Sequence, residues 1–207
     1  METYLQQLLQ PRSPLLTELE QHCERDRIPN IQPEAAQFIR LLLQMHGAQR
    51  MLELGTAYGY SALHWCEAAP AAQLVTIELA AERAAIARGY FARARVEQRV
   101  QLLEGDAGQL VPHLEGEFDV VFIDAAKGQY RLFFEQALEK TRSGGLIITD
   151  NVLFRGLVAA EDDQLIEPRH RKMIEKIRAF NRFICEHPQC TTSIVPIGDG
   201  LAVSLKI

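Results

Sequence analysis

Short apolar runs alternate with longer amphipathic stretches from residue 50 onward. The runs lie at 51–54, 74–78, 100–103, 118–123 and 146–149, and they are almost continuously apolar, as is typical of strands buried on both faces. Strands separated by helices predict a parallel sheet with helices on both sides, the arrangement of α/β proteins. The predicted helices begin near Ser61, Ala81, Ala107, Gln129 and Pro168.

The two ends of the chain depart from this alternation. Prolines at the first helical position predict helices over 14–24 and 34–45, and Ile28, which precedes a proline, predicts a loop over 26–32. At the other end, 193–206 predicts two antiparallel strands that turn at Ile197-Gly-Asp-Gly200. We therefore expect one domain over 1–207, with a helical cap at 1–48 and an α/β core at 49–207.

Composition narrows the classes of function. The 207 residues are 47% hydrophobic and carry a net charge of −5. The overall charge therefore does not attract nucleic acid, and any such binding must come from a local basic patch. The first residues lack the basic and apolar regions of a signal peptide, and no run approaches the ~20 apolar residues of a membrane span. We therefore expect no membrane contact. We also expect a protein of the reducing cytoplasm, because its four cysteines have neither zinc-site nor disulfide-framework spacing: Cys23, Cys66, Cys185 and Cys190.

A glycine turn follows the first strand and leads directly into a helix. Glu53, Gly55, Gly59 and Ser61 lie in this segment, and the second strand ends in Glu78. Such a turn brings backbone N–H groups close to an anionic ligand, and an acid at the next strand end is placed to bind a ribose. The segment therefore indicates an adenosine-containing cofactor. Taken singly, the glycines are equally consistent with plain turn residues, and Glu53 with a solvated strand end.

Two further strands end in oxygen-bearing side chains. Asp124 follows the fourth strand, and Asp150 with Asn151 follows the fifth. Parallel strands end at the same edge of a sheet, so these groups predict a site for Mg²⁺ or another hard divalent cation. Lys127 lies close enough in sequence to act as a general base or an orienting donor. The alternative is that Asp150 and Asn151 only terminate a strand through local turn hydrogen bonds.

Together these segments resemble the cation-dependent class I O-methyltransferases, which include catechol and caffeoyl-CoA O-methyltransferases. The matching positions are 52–61, Glu78, 104–107, 122–127 and 150–151. The resemblance implies a Rossmann-like fold with a mostly parallel seven-stranded sheet, a C-terminal antiparallel hairpin and helices on both faces. It also implies a homodimer.

The resemblance further implies where S-adenosylmethionine binds. The ribose would lie at Glu78, the adenine near Asp106 and Ala107, and the methionine end beneath a loop at Ile31. Asp124 would contact both the cofactor and the metal, Asp150 and Asn151 would complete the metal ligands, and Lys127 would be catalytic. The remaining cofactor contacts would come from Glu53, Gly55 and Ser61.

The acceptor stays open between two chemistries. Within the family, 150–158 and the turn at 197–200 are most similar to bacterial tRNA 5-hydroxyuridine methyltransferases, and a basic tract at 169–182 is placed to meet RNA phosphates. A charged stripe of this kind is more often the solvated face of an amphipathic helix than an RNA contact. The alternative acceptor is a small catechol-like or hydroxycinnamoyl phenol. A nucleotide-binding protein that is not a methyltransferase is the alternative of a different class.

Overall fold

The computed structural model describes residues 2–160 and 167–207. Its sheet has seven strands in the order β3-β2-β1-β4-β5-β7-β6. The first five run parallel, and β7 pairs antiparallel with both β5 and β6. The predicted α/β fold with a C-terminal antiparallel hairpin is therefore confirmed. The strands are β1 Arg50–Leu54, β2 Gln73–Glu78, β3 Val100–Glu104, β4 Phe118–Ile123, β5 Thr141–Thr149, β6 Cys190–Val195 and β7 Leu201–Lys206.

The helices of the described ranges lie before, between and after these strands. Pro14 and Pro33 each occupy the first turn of a helix, as predicted, because the fixed proline φ suits that position and the missing N–H needs no partner there. The helices are α1 Glu2–Gln7, α2 Pro14–Asp26, α3 Pro33–His46, α4 Tyr60–Ala68, α5 Ala81–Ala94, α6 Ala107–Leu110, α7 Tyr130–Lys140 and α8 Pro168–Cys185. None of the described helices is both long and apolar enough to cross a bilayer.

The strands have apolar side chains on both faces because each face is covered. Successive strand residues point to opposite sides, so Met51 and Phe122 pack in one core cluster while Leu52 and Ile123 pack in the other. The first cluster includes α2, α3, α4 and α5, and the second includes α7 and α8. Helices α2 and α3 pack against α4 rather than on the sheet.

Two strand boundaries differ from the sequence prediction by three residues or more. Strand β5 begins at Thr141 rather than at 146, and β6 begins at Cys190 rather than at 193. The early part of β5 is polar and contains Gly144 and Gly145, and glycine is depleted in strands. Thr141 pairs with Phe118 of β4, but the register then shifts between Phe118 and Val120, so regular pairing resumes only at Leu146.

The sheet order changes direction beside β1, which pairs with β2 on one side and β4 on the other. Ligands of open α/β sheets bind in the crevice at such a switch point, beyond the carboxyl ends of the strands. Gly55 leaves β1 at this point with a φ of 101°, and a Cβ there would lie 2.0 Å from the carbonyl oxygen of Asp124. The ends of β1 and β4 can approach this closely only without a side chain at position 55.

We predict that Gly55→Ala destabilises the protein much more than Gly47→Ala. Both glycines have positive φ, but a Cβ at Gly47 would meet nothing within 4 Å. The control should lose only the ~1–2 kcal/mol of left-handed strain, whereas Gly55→Ala should lose a further ~1–3 kcal/mol or more from overlap with backbone. Urea unfolding of both variants measures this difference. Equal losses would contradict the close approach of the two strand ends.

Candidate active site

A cavity of about 1090 Å³ opens at the carboxyl ends of the parallel strands. Ligand pockets range over ~300–1,000 Å³, so this cavity has room for a nucleoside-sized cofactor and a second reactant. All the residues predicted for the site line it except Glu53 and Asp150. Those that line it are Ile31, Gly55, Ser61, Glu78, Asp106, Ala107, Asp124, Lys127 and Asn151.

Glu78 is fixed at the end of β2 by two backbone donors. The N–H of Ala57 donates to its Oε2 at 2.7 Å, and the N–H of Ala80 donates to its Oε1 at 2.9 Å. Each carboxylate oxygen can accept more than one hydrogen bond. Glu78 can therefore hold the glycine turn in place and still accept a hydroxyl from a ligand in the cavity.

Asp106 holds the turn between β3 and α6. Its Oδ1 accepts a hydrogen bond from the N–H of Gly108 at 2.7 Å, which caps the short helix that starts at Ala107. Asp106 and Ala107 lie in the cavity wall together with Phe133 of α7. A planar ring in this part of the cavity would meet an apolar surface with a polar rim.

Glu53 lies behind the cavity wall. Its carboxylate is fully buried and accepts hydrogen bonds from Trp65 Nε1 at 3.0 Å and from Thr76 Oγ1 at 2.6 Å. Burial raises the pKa of Glu53 to about 7, against the lowering effect of hydrogen bonds from Thr76, Ser61 and Trp65. Contact with a ligand in the cavity would run through Ser61, which lines it.

Asp124 and Asp150 converge at the ends of β4 and β5. The backbone continues the ladder here, because Asp124 N–H donates to the carbonyl of Leu54 and Asp150 N–H donates to that of Ile123. Burial raises the pKa of both carboxyls, and their mutual repulsion adds to the pKa rise of Asp150, whereas Lys127 lowers that of Asp124. The nearby positive charge of Lys127 therefore does not offset the burial of the two carboxyls.

Lys127 and Asn151 meet across the same corner. Lys127 Nζ donates to Asn151 Oδ1, and the N–H of Asn151 donates to Asp150 Oδ1 at 2.6 Å. Asn151 has a φ of 58°, a conformation that asparagine tolerates better than most residues. Tyr130 donates to the carbonyl of Asp150 at 2.8 Å and so fixes the turn.

These donors fit a hard divalent cation. Two carboxylates and one amide oxygen are ligands that Mg²⁺ accepts, with the remaining positions left for water or substrate. A bound cation would also relieve the repulsion between the two buried carboxylates. Within the described residues, no cluster of three or more His, Cys, Asp or Glu side chains is arranged to hold a metal, so a zinc-type site finds no support in that part of the chain.

The other end of the cavity is lined by aromatic and charged residues. Phe154, Arg155, Arg169, His170 and Asp199 contribute to it. The ring of Phe154 meets His170 edge-on at 5.5 Å, and Arg169 pairs with Glu167 at 2.7 Å. Asp199 supports this wall from the C-terminal hairpin, because its carbonyl accepts hydrogen bonds from the N–H groups of residues 153 and 154.

The sequence reasoning missed a hydrogen-bonded group that joins the cap to the glycine turn. Tyr58 donates to Asp26 Oδ2 at 2.8 Å, His22 Nε2 lies 3.3 Å from the same oxygen, and His22 Nδ1 lies 2.9 Å from the hydroxyl of Tyr90. Asp26 ends α2 just before the loop that lines the cavity through Ile31. The contacts of Tyr58 with Asp26 and of His22 with Tyr90 have no local signal, since the partners lie 32 and 68 positions apart. His22 and Asp26, by contrast, are an i,i+4 pair that the helical spacing of α2 could have revealed.

The fold and the cavity define a Rossmann-like α/β protein with its ligand site at the switch point of the sheet. A family model described as O-methyltransferase matches residues 7–207. The chain therefore belongs to the O-methyltransferase family, as the resemblance in its motifs predicted.

Individual relatives agree with this assignment. Tricin synthase 2 of Oryza sativa subsp. japonica is 32% identical over 182 residues, which cover 84% of this chain and only 62% of that protein. A catechol O-methyltransferase of Niastella koreensis is 33% identical over 186 residues, covering 85% and 81% of the two chains. The crystal structure of an O-methyltransferase from Bacillus cereus in complex with SAH is 30% identical, with a TM-score of 0.85 over 99% of this chain and 96% of the other.

We predict that Glu53→Gln stabilises the protein increasingly as pH rises. The carboxyl titrates near 4.5 without burial and near 7 when buried, so the folded state binds this proton more tightly. The wild-type free energy of unfolding should therefore fall, relative to the variant, as pH rises from about 4.5 to about 7. The difference should reach a few kcal/mol, at ~1.4 kcal/mol per pKa unit.

Glutamine can keep the hydrogen bonds, accepting from Trp65 and donating to Thr76. The measurement is urea unfolding of both proteins, without added ligand, across this pH range. Glu139→Gln, at an exposed position, is the control and should follow the wild type. Parallel curves for Glu53→Gln and wild type would show that the buried carboxyl does not titrate in this range.

Proposed function

We propose that this protein transfers the methyl group of S-adenosylmethionine to an acceptor hydroxyl that stands beside a second oxygen, with the help of a divalent cation. The observation that carries the proposal is the convergence of Asp124, Asn151 and Lys127 in the wall of the large cavity, with Asp150 beside Asp124. Membership of the O-methyltransferase family supports the reaction class. The Bacillus cereus relative, solved in complex with SAH, supports the cofactor.

In this proposal the cofactor lies along the glycine turn. Glu78 accepts the ribose hydroxyls, Asp106 and Ala107 flank the adenine, and the missing side chain at Gly55 lets the backbone approach the ligand. Ser61 contacts the methionine end beneath the loop at Ile31. Glu53 acts from behind the wall by positioning Ser61.

The cation is held by Asp124, Asp150 and Asn151, and Asp124 also faces the cofactor. When bound, a divalent cation polarises the acceptor oxygens and lowers the hydroxyl pKa. As the neutral amine, Lys127 takes the proton of that hydroxyl at its Nζ; as the ammonium, it orients the hydroxyl by donating to its oxygen. Its hydrogen bond to Asn151 holds Nζ against the same corner of the cavity.

The first acceptor we propose is the 5-hydroxyuridine of tRNA. Its hydroxyl stands beside a carbonyl oxygen, which suits chelation. Arg155 and Arg169 lie at the mouth of the cavity, and Lys172 and Lys176 are exposed farther along α8, where they can meet phosphates. Arg178 is not part of this surface, because it donates to the carbonyls of Val158 and Ala160.

A small catechol-like or hydroxycinnamoyl phenol is the second candidate. The relatives named catechol O-methyltransferase and tricin synthase 2 favour it. Phe154 offers an aromatic face in the cavity against which a phenol ring could stack. In this case the basic side chains of α8 are ordinary solvated surface, above the buried Ile174, Ile177, Phe180 and Ile184.

We further propose that residues 1–207 act as one cytoplasmic methyltransferase domain, with 1–48 as its helical cap, and that the protein is a homodimer. Leu8, Leu41 and Met45 on the cap are large apolar side chains left 51–75% exposed. Clustered apolar exposure of this kind favours a protein contact over solvent.

We predict metal-dependent methyl transfer to only one of the two acceptors. Labelled S-adenosylmethionine is incubated with 5-hydroxyuridine-containing tRNA or with a catechol, each with Mg²⁺ or with EDTA. Removing the cation should lower the rate about a hundredfold or more, since Lewis-acid stabilisation contributes several kcal/mol. Labelling that EDTA leaves unchanged would contradict the cation.

The double variant Lys172→Gln/Lys176→Gln separates the acceptors. Labelling of tRNA should fall and lose part of its salt dependence, while labelling of a catechol should stay constant. Arg93→Gln, an exposed charge on α5, is the control. Labelling of the catechol alone would replace the tRNA proposal with the phenol.

We also predict that Tyr58→Phe weakens cofactor binding. The variant removes the hydrogen bond to Asp26 that ties the cap loop to the glycine turn. Losing ~0.5–1.5 kcal/mol should raise the Kd for S-adenosylhomocysteine about two- to tenfold in calorimetric titration. Tyr90→Phe, which loses its contact with His22 but keeps the hydrogen bond between Tyr58 and Asp26, should bind almost as wild type. Equal affinities for Tyr58→Phe and wild type would show that the tie does not hold the loop.

A further inference from the structure

A second cavity, of about 190 Å³, lies between the chain before α2 and the helices α3 and α4. We call it the His64 cavity, after the residue that α4 contributes to its wall. It shares no lining residue with the large cavity. At ~30 Å³ per water molecule, it is large enough for a phosphate-sized group.

His64, in the wall of this cavity, carries a buried donor without a hydrogen-bond partner in the described part of the chain. The residue is only 3% exposed, and its Nδ1 lies 3.4 Å from Nη1 of Arg40. Arginine can only donate, so Nδ1 accepts and the ring proton is on Nε2. That buried Nε2 has no hydrogen-bond partner within the described residues. A buried N–H without a partner is uncommon in folded proteins.

The charge on the wall has one sign. Arg12 and Arg40 line the His64 cavity, whereas none of its described lining residues is acidic. Their carboxylate partners, Glu20 and Glu67, lie outside the wall. Burial and then the two arginines lower the pKa of His64 to about 3, so at neutral pH the ring is an uncharged donor between two cations.

One further group in the wall adds donors. Gln37 uses its side-chain oxygen to accept from the N–H of Gln10 at 2.8 Å, which leaves its amide N–H groups for a ligand. Pro33, also in the wall, begins helix α3 but has no N–H to donate, and Glu34 in the same first turn offsets the partial positive charge of the helix start.

We propose that the His64 cavity is a binding site for a small oxyanion such as phosphate, held by His64 Nε2–H, Arg12 and Arg40. This site is separate from the methyl-transfer chemistry and does not depend on it. A tetrahedral oxyanion has enough acceptor oxygens to satisfy all three groups at once. It would remove the unpaired buried donor and match the charge of the wall.

The test follows the side-chain nitrogens of His64 by NMR during titration with inorganic phosphate, and in parallel with acetate and with chloride at equal ionic strength. His64→Phe assigns the resonance. In wild type, phosphate should shift the Nε2–H signal saturably and chloride should not. A saturable response to acetate as well would extend the site to carboxylates.

Arg40→Gln and Arg93→Gln are the matched pair of variants. Each removes one arginine that pairs with a glutamate, but only Arg40 lines the cavity. The dissociation constant for phosphate should rise about tenfold or more in Arg40→Gln, since a charged hydrogen bond contributes ~1.5–3 kcal/mol, and stay unchanged in Arg93→Gln. No saturable shift in wild type, which would indicate an ordered water only, overturns the proposal. So does an equal response of the two arginine variants.

Discussion

The approach of residue 55 to the carbonyl of Asp124 constrains the whole site. A Cβ at Gly55 would lie 2.0 Å from that oxygen, so the glycine turn after β1 rests directly on the backbone that carries Asp124. The same turn is held from the other side by Glu78, through the N–H of Ala57. The glycine turn and the backbone of Asp124 are therefore in direct contact, and neither can shift far without the other.

Buried charge is used in two different ways in this unit. Glu53 accepts hydrogen bonds from Trp65 and Thr76, which hold its carboxyl in place although burial still raises its pKa to about 7. Among the described residues, Asp150 accepts from the adjacent backbone N–H of Asn151 and faces Asp124. The first acid is held by neutral donors, whereas the second faces a like charge whose repulsion a cation would relieve. This contrast explains why a buried acid at a strand end is not by itself a sign of metal binding.

The parts of the fold that sequence predicts best are those fixed by local pattern. The apolar runs gave the parallel strands, and their terminal acids placed Glu78, Asp124 and Asp150 at one edge, because parallel strands end together. The parts that escaped prediction depend on pairing between distant segments. The polar start of β5 joins the sheet through Thr141, opposite Phe118 of β4, before a shift in the register, and Asp199 reaches the cavity wall only after the hairpin folds back. Likewise, no local pattern connects Tyr58 to Asp26, 32 positions away, although His22 and Asp26 are an i,i+4 pair on α2.

The position of β7 has a consequence for how the protein folds. It lies between β5 and β6 in the sheet. In the chain, however, it follows β6, and both α8 and β6 come between β5 and β7. Until β7 docks, the buried residues Ile147 and Ile148 form an open, apolar edge strand, which is the kind of surface that pairs with other chains. Pairing between such distant segments is also slow to form. Any folding species in which β7 has not yet docked would therefore expose this edge to pairing with other chains, so fast closure of the C-terminal hairpin would protect the chain from aggregation.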